Sequence, residues 1–173
     1  MRIRARMVSS LAAGLGLLGS LNAHALDVTG TWEGKWKCRV FNALTGSFET
    51  LSNPTSTMKI SQAGNDLNVE IDSQFFRFHG VVAAGAANSD NGAATLMSCH
   101  TDPTLSQPGS YNELISARFH TNPNTDSGTF KATSTGQQEN FLAAVCHYVL
   151  KRLSTVDPSV PDPLQPGNCV PLP

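Results

Sequence analysis

The chain has 173 residues, 40% hydrophobic and 14% charged, with four cysteines and a formal net charge of −1. This length gives one domain with its own core rather than two. No apolar run reaches the ~20 residues of a membrane-spanning helix, and the acidic balance disfavours nucleic acid and anionic membranes, which need a basic face.

Residues 1–25 read as a cleavable secretory signal peptide. Arg2, Arg4 and Arg6 give a positive start, Val8 to Leu21 an apolar stretch, and Ala23-His24-Ala25 a small-x-small cleavage site. Cleavage after Ala25 removes three of the twelve Lys and Arg and none of the thirteen Asp and Glu, leaving 148 residues with a net charge of −4. Leu26 stands where a lipid anchor requires cysteine, and the leader has no Arg-Arg pair. The expectation is an exported protein, periplasmic or extracellular, without a membrane anchor. In that compartment four cysteines, Cys38, Cys99, Cys146 and Cys169, most simply make two disulfides, with three connectivities open. Their wide spacing offers no Cys-x-x-Cys half-site, so no metal site is predicted.

From Thr31 to Phe41, Trp32, Trp36, Cys38 and Val40 share one face, and Glu33, Lys35, Lys37 and Arg39 share the other. That period of two predicts a strand with one buried and one wet face. Met58 and Ile60 lead into Gly64-Asn65, read as the positive-φ pair of a hairpin, and Leu67, Val69 and Ile71 alternate with polar neighbours beyond it. Phe76, Phe78, Gly80 and Val82 form the next inward face, before a Gly/Ala run and the turn Asn88 to Gly92. Further strands are expected at 94–100, at 112–120 with Ile115, Ala117 and Phe119 inward, and at 128–134. The stretch from Phe141 to Leu153 fits either an amphipathic helix or a strand with Leu142, Ala144, Cys146, Tyr148 and Leu150 on one face; its β-branched and aromatic content favours the strand. Residues 154–173 hold six prolines, which exclude helix and central strand, so an extended tail is expected, tethered through Cys169.

Short strands joined by hairpin-length turns predict an all-β domain at 26–153: an up-and-down antiparallel barrel of about eight strands, with a β-sandwich as the alternative. Closure into a barrel removes the exposed edges.

Gly30-Thr31-Trp32 at the start of the first strand resembles the Gly-x-Trp signature of lipocalin-like, calycin-type barrels. The resemblance implies that Trp32 plugs the barrel floor beneath Arg152 from the last strand, with Lys151 as the neighbouring candidate. The pattern from Asp27 to Phe41, the Gln62-Ala63-Gly64 turn and the closing Tyr148 to Arg152 before a Pro-rich tail are also similar to a group of secreted bacterial proteins of unassigned function.

The chemistry sought beyond this is sparse. Cys99-His100 and Cys146-His147 lack the first cysteine of a covalent haem motif, since Leu96 and Ala143 occupy that position. No cofactor is predicted. His79, His100, His120 and His147 read as solvated strand-face residues rather than a metal cluster, and Glu33, Glu70 and Asp72 fall on the polar, outward faces. There is no Gly-x-Ser-x-Gly and no phosphate loop. The small residues Gly80, Ala83, Ala84, Gly85, Ala86 and Ala87 either thin one wall, leaving room for a ligand among Trp36, Phe76 and Phe78, or form a tight turn over a filled core. The leading functional expectation is a non-enzymatic barrel that holds a small apolar or amphipathic molecule. The alternatives are a protein-binding barrel such as a protease inhibitor, using the loop at 101–110 or the tail, and an enzyme with a histidine or carboxylate site inside the barrel.

Overall fold

The computed structural model of the protein describes residues 26–72, 76–85, 90–100, 111–122, 124–138 and 142–163. The leader, the loop at 101–110, Cys169 and the side chains of Cys99 and His100 lie outside the described residues, and so do the expectations that rest on them.

Eight strands follow in order: β1 (Gly30–Asn42), β2 (Ser47–Ala63), β3 (Asp66–Ile71), β4 (Phe76–Ala84), β5 (Asn91–His100), β6 (Tyr111–Asn122), β7 (Ser127–Gln138) and β8 (Leu142–Ser154). Each pairs antiparallel with the next, and β1 also pairs with β8, closing an up-and-down barrel rather than a sandwich. The segment that suits helix or strand is therefore a strand. Closure decides it: β8 fills the edges of both β1 and β7, with Tyr148 opposite Trp36 on one side and Ala132 on the other, so its backbone groups are satisfied by the ladder.

The alternation read in β1 holds, with Trp32, Cys38 and Val40 buried and Glu33, Lys35, Lys37 and Arg39 exposed. β2 begins well before Met58 and Ile60, at Ser47, and its register against β1 shifts between Gly34 and Trp36. Lys35 there faces the two residues Pro54 and Thr55, a bulge that accommodates the missing proline N–H. The extra residue flips the phase: Ser56, Met58 and Ile60 point inward on one side of it, while Leu51 and Asn53 pair with Cys38 and Trp36 on the other. In the β2–β3 hairpin only Gly64 has a positive φ, +63°; Asn65 does not. One glycine at the first central position satisfies a type II′ turn, whereas the type I′ turn would need both.

The two ends of the barrel differ. At one end Trp32 is fully buried, edge-on to Phe119 with centroids 5.5 Å apart, and Phe130 lies 5.0 Å beyond. The preceding segment, Leu26 to Thr29, crosses under this floor with Leu26 and Val28 buried. Gln62 fixes it there: its Oε1 accepts from the Val28 amide at 2.9 Å, and its Nε2 donates to the Leu26 carbonyl at 2.9 Å. The Trp32 indole donates to the Val28 carbonyl at 3.1 Å. Arg152 spreads over the same ring, its guanidinium carbon 5.6 Å from the centroid, and donates to the Thr29 carbonyl, while Lys151 is exposed. Gly30 sits at the crossing with φ +131°, where a Cβ would run into the Ser154 carbonyl.

The described part of the tail is held by contacts that the sequence did not point to. The Val160 amide donates to Ser61 Oγ at 2.7 Å, Ser61 Oγ donates to Asp157, and Val160 is itself buried. Those donations from Ser61 and from the Ser159 amide hold the Asp157 carboxyl below its ordinary pKa.

Candidate ligand site

Packing thins toward the other end of the barrel. The residues that continue the inward faces there are Cys38 and Val40 of β1, Leu51 of β2, Ile71 of β3, Phe76 and Phe78 of β4, and Ala144, Cys146 and Tyr148 of β8. Together with Trp36 they enclose a cavity of about 210 Å³ whose wall is mostly carbon. An eight-stranded barrel is just wide enough to be filled by side chains or to hold one small molecule. Here the aromatic plug fills one half and leaves the other partly open.

The sequence singled out Trp36, Phe76 and Phe78 as ligand contacts, and the structure brings all three into this one wall. Phe78 is buried within it, whereas Phe76 is half exposed at the start of β4, next to the cavity mouth. Gly30, Trp32 and Arg152 gather at the opposite, closed end. Gly80, Ala83 and Ala84 do not border the cavity. They lie on the half of β4 that faces the packed floor, and Ala84 packs against the core.

Cys38 and Cys146 are directly opposed across the β1–β8 seam, with Cα atoms 4.0 Å apart, and form a disulfide in the cavity wall. His147 then points outward, toward the Thr133 hydroxyl at 3.3 Å, as alternation requires of the neighbour of an inward cysteine. His79 and His120 likewise lie on outer faces, beside Asn68 and Asn91.

Two carboxyls border the cavity. Asp72 was expected on an outer face with Glu33 and Glu70; it is exposed, but at the cavity mouth rather than on the outer wall. β3 ends at Ile71, and Asp72 takes φ +60°, so the strand alternation no longer governs it. Its backbone N–H still donates to the Thr57 carbonyl at 2.7 Å, and its carboxylate accepts from the Trp36 indole at 2.8 Å, the Asn53 amide group at 3.1 Å and the Thr57 backbone N–H at 2.9 Å. Partial burial opposes its charged form, but these donors outweigh it and hold its pKa below the ordinary carboxylate value. Glu70 does stay outside, 3.0 Å from Lys59 and 3.5 Å from Arg77.

The second carboxyl is Glu113 of β6, only 6% exposed. Its Oε1 accepts from the Tyr148 hydroxyl at 2.8 Å and from the Ser134 hydroxyl. Its backbone N–H donates to Ser98 Oγ at 2.7 Å. Sequence reasoning missed this residue, although the signal was present: Ile115, Ala117 and Phe119 define the inward parity of β6, and Glu113 is the next position back on it. An acidic residue on a core parity needs buried partners, and here an inward serine on the next strand and an inward tyrosine on the one after supply them.

No family model, no curated protein and no solved structure matches the chain.

Proposed function

We propose that this protein is an exported, lipocalin-like barrel that holds a small apolar or amphipathic molecule in its open half and carries out no chemistry on it. The observation that carries this reading is the cavity of about 210 Å³, walled by Trp36, Val40, Leu51, Ile71, Phe76 and Phe78. Its size falls below the roughly 300–1,000 Å³ common for small-molecule pockets. The occupant is accordingly a single ring, a short chain, or one end of a longer molecule that leaves through the mouth. The lipocalin-like part of the proposal draws on the sequential strand order, on Gly30-Thr31-Trp32 opening β1 and on Arg152 over Trp32. Export draws on the leader-like composition of residues 1–25, with the Cys38–Cys146 disulfide as weaker support.

Native mass spectrometry of the purified protein, followed by solvent extraction, tests it. The expected result is a bound small molecule, or restored binding after extraction, seen as a change in tryptophan emission with added apolar compounds. An empty protein whose emission responds to none of them contradicts the proposal.

A second reading is an enzyme, and the observation favouring it is that two carboxyls, Asp72 and Glu113, border one cavity. Acid–base chemistry by such a pair requires one member with a raised pKa, so that it carries a proton to donate at neutral pH. The donors around Asp72 act the other way and keep it ionised. An ionised Asp72 leaves only Glu113 as the acid of such a pair, and the mostly carbon wall around the two suits holding a molecule, so binding is preferred; turnover of chromogenic glycosides or esters abolished by Glu113→Gln would reverse that preference.

A further inference from the structure

The cavity combines an apolar, aromatic wall with a one-sided charge pattern. Among its described lining residues Asp72 and Glu113 carry carboxyls and none is basic, while Trp36, Phe76, Phe78 and Tyr148 supply aromatic rings. We infer that the ligand class this cavity selects is a small organic cation: a protonated amine on an aromatic or short aliphatic body. This inference rests on the proposed binding function and names the chemistry of the occupant.

Three features lead to it. A carboxylate ligand such as a fatty acid would bring a negative charge beside the Asp72 carboxylate at the mouth and find in the Glu113 Oε1 an atom that already accepts from two hydroxyls, not a donor. A neutral apolar ligand would satisfy the carbon wall but gain nothing from either carboxyl. An ammonium group gains from both wall types, since aromatic faces attract cations and carboxylates form charge-assisted hydrogen bonds with them. The two carboxyls are also oriented before any ligand arrives. Asp72 is fixed at the mouth by Trp36, Asn53 and the Thr57 amide. Glu113 is fixed in the buried wall by the Tyr148 and Ser134 hydroxyls. Little ordering of protein side chains remains to be done on binding, which is how a small ligand reaches useful affinity.

The experiment is a calorimetric titration of the full chain with three compounds of closely similar size: phenethylamine, 2-phenylethanol and phenylacetate. The expected order places the amine at least about tenfold tighter than the alcohol, the difference a charge-assisted hydrogen bond supplies, with the carboxylate weakest. In Glu113→Gln the ratio of amine to alcohol affinity falls about tenfold, and circular dichroism checks that the barrel is intact. Asp72→Asn, at the more exposed mouth, provides the same ratio should the buried substitution fail to fold. An alcohol or carboxylate that binds as tightly as the amine overturns the cation inference and leaves the binding function standing. Failure of all three to bind, together with an empty protein in native mass spectrometry, overturns the binding function and the inference with it. A ratio unchanged in both variants overturns the assignment of the carboxyls.

Discussion

Replacing Cys38 and Cys146 together by alanine removes the covalent link across the barrel seam. The two cysteines are 108 positions apart and join the first strand to the last, so the bond closes nearly the whole barrel into one loop. Loop-closure entropy for a ring of that size is about 4.8 kcal/mol at 25 °C, and measured losses for native disulfides fall at about 2–5 kcal/mol. The hydrogen-bond ladder of β1 and β8, which pairs residues from Thr31–Ser154 through Asn42–Leu142, remains, so the fold itself persists. The bond acts on the unfolded chain by keeping its ends together. With a urea m-value of about 2 kcal/mol/M for a domain of this size, the unfolding midpoint drops by roughly 2 M. The m-value rises at the same time, because the unlinked chain expands further when unfolded. Urea melts of both proteins by circular dichroism measure both quantities. A midpoint lowered by less than about 0.5 M with an unchanged m-value refutes the reasoning, and would mean that the β1–β8 ladder alone holds the seam.

Three further substitutions probe other parts of the molecule. Arg152→Met keeps an unbranched apolar stem but removes the cation over Trp32 and its donation to the Thr29 carbonyl, costing about 2–3 kcal/mol in urea melts; a loss below about 0.5 kcal/mol would mean the floor needs only an apolar cover. Gly30→Ala should cost at least about 2 kcal/mol, since φ +131° is strained for alanine and its Cβ meets the Ser154 carbonyl, and an unchanged melting temperature would contradict that geometry. For Asp72 the folded pKa lies below the unfolded one, so its charge stabilises the fold above the unfolded value of ~3.9 and that contribution is lost as pH falls through the folded value. The stability difference between the native chain and Asp72→Asn is therefore flat from pH 5 to 7 and shrinks below pH 4. A difference that grows on acidification would show that the hydrogen bonds to Asp72 do not favour its ionised form.

Most of the barrel was legible because its strands each have one wet face, and period-two patterning survives in β1, β3 and β4 without interruption. It failed where the backbone departed from the ideal strand. The bulge at Pro54 and Thr55 inserts one residue, so Leu51 and Met58 face inward on opposite parities and β2 does not scan as one strand. Asp72 reads as the polar continuation of β3, but it lies one residue past the strand, with a left-handed backbone. The aromatic side of the site was legible, since Trp36, Phe76 and Phe78 lie on inward parities. Its acidic side was hidden for two reasons. Charge on a strand normally signals the wet face, which masked Glu113, and the hydroxyls that stabilise it come from β7 and β8, whose register against β6 the sequence alone does not give.

The chain carries two tryptophans, one at each end of the barrel, and that gives the binding account its most direct measurement. In a proton–nitrogen NMR titration with phenethylamine, the Trp36 indole N–H, which donates to Asp72 beside the cavity, is expected to shift. The amides of Phe78, Ala144 and Cys146 in the cavity wall should shift with it. The Trp32 indole, which donates to the Val28 carbonyl in the closed floor, should stay in place. Shifts confined to Trp32 and its surroundings, or none at either indole across this amine and its neutral and anionic analogues, would contradict a ligand site in the open half.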